Sequence, residues 1–180
     1  GGHVIDKHGS ELICEKIGVT FGAHPVPDEG CVDGCRAILE KSKDLTPKDL
    51  VFTISGSGIS ALLTMPVPGV SIEDIRNLTY LMQIEKGALT SDLNPVRNHL
   101  DVMKGGRFTR HLQPAKTVHI LTLDPGNHNA LMNNNSFHHT LPDRSTFQDA
   151  INNIKKWDAW EQAPESIKIY LMNASFEDET

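Results

Sequence analysis

Leu50-Val51-Phe52-Thr53-Ile54-Ser55-Gly56-Ser57-Gly58-Ile59-Ser60-Ala61-Leu62-Leu63 is the stretch on which the fold turns. Its first five residues are apolar, β-branched or aromatic, the composition of a buried strand. Small residues then let the backbone turn sharply, and an apolar helical turn follows through Met65. A strand, a glycine loop and a helix in that order form the repeating unit of α/β folds. Such a loop turns backbone N–H groups towards an anion, and the helix dipole adds partial positive charge there. Ser55, Gly56, Ser57, Gly58 and Ser60 are therefore candidate phosphate-binding residues. The alternative is a tight turn whose small residues serve only packing. Gly56 to Ala61 also fit G-x-G-x-x-A, the dinucleotide fingerprint, which brings an NAD(P)-dependent reductase into view. That reading needs a second strand ending in an acid about twenty residues on. Pro66-Val67-Pro68-Gly69 and a capped helix occupy that space instead, and Glu73 and Asp74 fit as residues of the helix's first turn.

Outward from this unit the apolar pattern keeps alternating between strand and helix periods. A glycine turn leads into a strand ending near Asp6, and residues 17–22 form a second apolar stretch before the extended His24-Pro25-Val26-Pro27. Val32, Cys35, Ile38 and Leu39 share a helix face up to Lys41. Ser71 with Asp74 forms a capping box for a helix running to Gly87, and Asn94 can cap another with Pro95 at its first position and Gly105-Gly106 at its end. Val118 to Leu123 reads as a buried strand, followed by a long loop to Arg144. Ser145 with Gln148 caps a strong helix through Trp157, and a weaker helix spans Pro164 to Leu171. The alternation favours an α/β fold.

At 180 residues with 38% hydrophobic content, one domain over 1–180 is expected. A net charge of −6 argues against nucleic acid, whose affinity rests on clustered cations, and favours small-molecule partners. No apolar run reaches the roughly 18 residues a membrane helix needs and no signal pattern is present, so a soluble cytoplasmic protein is expected. Cys14, Cys31 and Cys35 are odd in number and read as reduced thiols.

Three further segments could carry chemistry. Asn94, Arg97, Lys104, Gly105, Gly106 and Arg107 form a basic cluster in which Arg97 and Lys104, two helical turns apart, share a face able to bind phosphate or carboxylate. Cations complementing a helix C-terminus would explain Lys104 and Arg107 but not Arg97. Asp124, at the end of a buried strand, could hold Mg²⁺ or orient a hydroxyl, or simply cap the turn at Pro125-Gly126. His128, His138 and His139 share a loop without metal-ligand spacing and read as solvated.

Taken in order, Ala23-His24-Pro25-Val26-Pro27-Asp28-Glu29, Ser55-Gly56-Ser57-Gly58 with Ser60-Ala61-Leu62-Leu63, Asn94-Pro95-Val96-Arg97-Asn98-His99-Leu100 and Lys104-Gly105-Gly106-Arg107 resemble the type II glycerate 2-kinase family, whose members are often also labelled hydroxypyruvate reductase. The resemblance implies an α/β, Rossmann-like three-layer sandwich with a mostly parallel sheet, expected to be incomplete at both ends: most of the family's larger domain, without its first strands or the C-terminal MOFRL-type domain. It implies ATP-dependent phosphorylation of D-glycerate or a similar hydroxy acid, with ATP and Mg²⁺ bound and a homodimer left open. In that scheme Ser55, Gly56, Ser57, Gly58, Ser60, Asn94, Gly105, Gly106 and Arg107 bind the nucleotide. Arg97, Lys104 and Asp124 serve the chemistry, and Asp124 also ligates the metal. The alternatives are the NAD(P)-dependent hydroxypyruvate reductase and a non-catalytic anion-binding relative. The chain alone is expected to turn over negligibly, since half of an interdomain site cannot close over substrate. Three departures stand out: an inserted serine lengthens the glycine loop, the family's second acid after Asp124 is missing with Asn127 or His128 in its neighbourhood, and His138-His139-Thr140-Leu141 replaces a segment that usually reads S-G-P-T.

Overall fold

The computed structural model describes residues 1–11, 15–56, 58–122 and 138–175. Strands β1 (Gly2–Lys7) and β2 (Ile17–Gly22) run parallel, with Gly2 opposite Ile17 and Lys7 opposite Gly22. Helix α1 (Glu29–Lys41) packs across both. Asp28 starts it as an N-cap, its carboxylate accepting from the N–H groups of Ala23 at 3.0 Å and Cys31 at 3.3 Å. A Cβ on Gly34 would stand 2.5 Å from Ile5 Cγ1, so glycine is what lets α1 settle onto β1. Cys31 and Cys35 lie buried on that inward face as free thiols, and burial pushes Cys31 up to about 11 and Cys35 higher still. Cys14 lies outside the described residues.

Strands β3 (Leu50–Ser55) and β4 (Lys116–Leu121) form a second parallel pair, Leu50 opposite Lys116 and Ser55 opposite Leu121. Their connection carries α2 (Ile59–Leu62), α3 (Ile72–Thr79), a π-helical segment (Tyr80–Glu85), α4 (Thr90–His99) and α5 (Arg107–His111). Helices α6 (Phe147–Lys156) and α7 (Glu165–Asn173) follow. Parallel strands joined through helices are the expected α/β class, and among the described residues the strands stand as two pairs. Period-2 alternation turns Leu50, Phe52, Ile54, Val118 and Ile120 to solvent on one face of β3 and β4, with Ile54 77% exposed. Val51 on the opposite face packs against Cys35, Met103 and Phe108. The larger core is helical: Leu78, Met82, Leu93, Val96, Ile154 and Ile167 close α3, α4, α6 and α7 around one another. No helix among the described residues is long and apolar enough to cross a membrane.

Several local readings change. Helix α4 begins at Thr90, so Asn94 is not its cap and Pro95 lies inside it. Burial of Leu93 and Val96, each 1% exposed, outweighs the hydrogen bond that proline forfeits. The helix ends at His99 because the next residues pair with another segment: Val67 N–H donates to the Leu100 carbonyl at 3.1 Å, and Val102 N–H to that of Met65 at 2.9 Å. Lys104 therefore does not share a helix with Arg97. Gly106, at φ 81°, opens α5 rather than closing α4. The helix begun by Ser71 and Asp74 loosens to π geometry after Thr79. Thr146 with Asp149, not Ser145 with Gln148, forms the capping box of α6, since Ser145 Oγ is engaged with Asp143.

Gly106 gives a direct test of packing. A Cβ there would meet Pro142 N at 2.8 Å on a left-handed backbone. Gly106→Ala is expected to cost about 1–3 kcal/mol, read as a lowered urea midpoint at unchanged slope.

Candidate anion pocket

Ser60, Thr64, Arg97, Asp101 and Lys104 line one cavity, closed by Pro27 and by apolar residues of α3 and α4. Arg97 comes from the last turn of α4. Its guanidinium is buried and donates to Asn94 Oδ1 at 3.2 Å and to Gln83 Oε1 at 2.9 Å, both neutral acceptors. Among the described residues no carboxylate stands within ion-pair distance of it. Burial lowers its pKa to about 10, which leaves it charged at neutral pH. One turn earlier, the fully buried Asn94 has no partner for Nδ2 among the described residues. A buried cation held by amide oxygens, beside a spare amide donor, suits an incoming carboxylate or phosphate.

Lys104 is placed differently. Its ammonium donates to Asp101 Oδ2 at 2.5 Å, to Thr64 Oγ1 at 3.0 Å and to the Leu63 carbonyl, so all three donors have protein partners. Asp101 also accepts from Met65 N–H at 3.1 Å and Met103 N–H at 2.8 Å. Burial pushes its carboxyl up, while Lys104 and these N–H groups pull it down. The pair ties the turn after α2 to the turn after α4. Arg107 donates to the carbonyls of Asn98 at 2.5 Å and Asp101 at 3.1 Å, at the C-terminal end of α4, the arrangement of the alternative reading in which it complements the helix.

Gly105 sits at φ 60°, and Gly106 lies against Pro142 with its N–H donating to the His139 carbonyl at 3.1 Å. Ser55 and Gly56 border a separate cavity lined by His3 and Ile5 of β1 and by Ile54 of β3. Gly58, at φ 89°, takes the Ala61 and Leu62 N–H groups on its carbonyl and so starts α2. The structure thus joins Ser60, Arg97 and Lys104 in one cavity and sets Ser55 and Gly56 around another. Ser57 and Asp124 lie outside the described residues, as does His128.

His138 and His139 were expected to be solvated, yet both are buried, at 5% and 0% exposure. The close approach of Gly106 to Pro142 draws the segment inward, and polar side chains receive the second ring. His139 Nε2 is 2.7 Å from Ser60 Oγ and its Nδ1 is 2.8 Å from Asn98 Oδ1, while Asn98 Nδ2 donates to Asp143. Sequence reasoning also missed Asp101 and Gln83. The i,i+3 spacing of Asp101 and Lys104 was a usable signal, whereas nothing in the sequence marks the π turn that presents Gln83.

The fold is thus α/β, with parallel strands joined through helices and a buried arginine that has amide partners alone among the described residues. The family model described as a domain of unknown function, DUF4147, matches residues 1–172, and the chain belongs to that family. A glycerate 2-kinase from Pyrococcus horikoshii is 29% identical over 170 residues, covering 94% of this chain and 38% of that protein. A putative hydroxypyruvate reductase from Agrobacterium vitis is 30% identical over 175 residues, covering 97% and 39%. The crystal structure of a Thermotoga maritima glycerate kinase matches at TM-score 0.79 and 32% identity, covering 96% of this chain and 41% of that one. The chain spans about two fifths of the length of the relatives it matches. The resemblance carried by the four motifs agrees with these comparisons.

Proposed function

We propose that this chain forms the anion-binding part of an ATP-dependent kinase for a small hydroxy acid of the D-glycerate type. The observation that carries the reading is Arg97, a buried cation with only amide partners, opening on a cavity that also holds Ser60. Phosphoryl transfer needs little covalent chemistry from a protein. It needs anions held in line and charge stabilised where it develops. Arg97 anchors the carboxylate of the acceptor, with Asn94 Nδ2 adding a neutral donor. Lys104, spent on Asp101 and the 63–64 turn, fixes the shape of the pocket. Ser55 to Gly58 supply a loop for the phosphates of the nucleotide, and Asp124 a carboxylate for Mg²⁺. Among the described residues the one carboxylate lining the cavity is Asp101, already occupied by Lys104 and two N–H groups, so no metal-dependent step is derived from them.

Names of relatives support the kinase reading, and two support a reductase. The chain path ranks the reductase second. After α2 comes the 65–67 segment paired with 100–102 and then α3, so the strand parallel to β3 is β4, far beyond the place where a ribose-binding acid belongs.

Incubating the full-length protein with ATP, Mg²⁺ and D-glycerate, and following ADP and phosphoglycerate, tests the proposal. Glycerate-dependent ADP release is the expected result. NADH oxidation with hydroxypyruvate in place of that release would replace the kinase with the reductase.

A further inference from the structure

The hydrogen-bond chain from Asp143 to Ser60 fixes the direction of every proton along it. A carboxylate accepts, so Asn98 turns its Nδ2 to Asp143 and its Oδ1 the other way. That Oδ1 can only accept, at 2.8 Å, and so the proton of the His139 ring sits on Nδ1. Nε2 then carries the lone pair, and at 2.7 Å it takes the proton of Ser60. The ring is fully buried, and burial, reinforced by Lys104, Arg97 and His138, holds its pKa well below the usual range, so it stays neutral. Ser145 N–H and Oγ steady Asp143 from behind at 3.1 and 2.9 Å.

Ser60 lines the same cavity as Arg97 with its only proton committed to His139. Its Oγ therefore offers lone pairs alone to a ligand. It repels a phosphate or keto oxygen and welcomes an O–H. We propose that Ser60, oriented by His139 and Asn98, is the residue that selects an α-hydroxy acid over the matching α-keto acid, accepting a hydrogen bond from the hydroxyl beside the carboxylate that Arg97 holds. This rests on the kinase reading and deepens it, because only the alcohol can receive a phosphoryl group. It also moves Ser60 from the phosphate loop to the acceptor site. The serine–histidine–amide order resembles a nucleophile with its base. A neutral ring flanked by Lys104 and Arg97 is a poor place for a transferred proton, however, and that sets Ser60 as an acceptor rather than an attacking group.

Calorimetric titration of the full-length protein with D-glycerate and with hydroxypyruvate reads the selection directly. Wild type is expected to prefer D-glycerate by about tenfold, the worth of one well-placed hydrogen bond. Ser60→Ala should bring the ratio to within about twofold, and Ser60→Thr, which keeps the oxygen, should restore it. His139→Ala frees the serine proton and should improve hydroxypyruvate binding. A purely structural role would lower the thermal midpoint and leave the ratio unmoved. Should His139→Ala not fold, the two Ser60 variants decide alone. An unchanged ratio in a Ser60→Ala protein that still binds D-glycerate overturns the role of Ser60 and leaves the kinase reading standing. Failure of wild type to bind D-glycerate overturns both. Covalent labelling of Ser60 by a fluorophosphonate would overturn the acceptor role in favour of a nucleophile.

Discussion

Asp101→Leu is expected to lower the unfolding free energy by about 3–5 kcal/mol, because it strands the Lys104 ammonium in a place where water cannot reach it. The two side chains are 1% and 4% exposed and their charged atoms lie 2.5 Å apart. Asp101 is also where the N–H groups of Met65 and Met103 end, so its loss leaves a half-buried and a buried donor without that acceptor as well. Urea unfolding with a shared slope measures the effect. The double variant Asp101→Leu with Lys104→Met should recover much of the loss, since an apolar pair of similar volume carries no desolvation cost. If the single variant costs less than about 1 kcal/mol, the pair does not tie the two turns together.

Arg97→Leu should produce the opposite pattern. Its guanidinium has no carboxylate partner among the described residues, so its removal relieves a buried charge while giving up hydrogen bonds to Asn94 and Gln83. Stability is expected to stay within about 1 kcal/mol of wild type. Function should fall by about 100-fold in kcat/KM for D-glycerate, because the ligand's carboxylate loses a charge-assisted, two-pronged contact in a desolvated pocket. Arg97→Lys should restore little, since an ammonium cannot present that planar fork. Unaltered glycerate affinity in a folded Arg97→Leu protein would remove Arg97 from the binding site. Together the two variants separate the pair that holds the pocket from the residue proposed to hold the ligand, although Arg97 and Lys104 lay in a single basic cluster in the sequence.

That separation shows how far the residues speak for themselves. The strand–glycine loop–helix unit, the alternation of strand and helix periods, the capping box at Ser71 and the helix face shared by Val32 and Cys35 were legible because each depends on contacts within a few residues: period, cap chemistry and turn chemistry. The distinct fates of Arg97 and Lys104 were not. An unbroken helix from Asn94 would align them, and it breaks at His99 because residues 65–67 compete for the Leu100 carbonyl and the Val102 N–H. That competition joins parts of the chain more than thirty residues apart, and no local pattern announces it.

The histidines make the same point. Nine in a chain of 180 residues, several in a polar loop, suggested solvent. Burial of His139 follows from the left-handed Gly106, which lets Pro142 approach, and from Asn98 and Ser60 waiting on either side of the ring. The sequence by itself determined which elements form and which segments carry charge, since backbone propensity and side-chain chemistry are local properties. Only the tertiary structure decided which charges are neutralised, which polar atoms meet and which serine lines the cavity with Arg97. Those depend on distances between residues that the chain order leaves far apart.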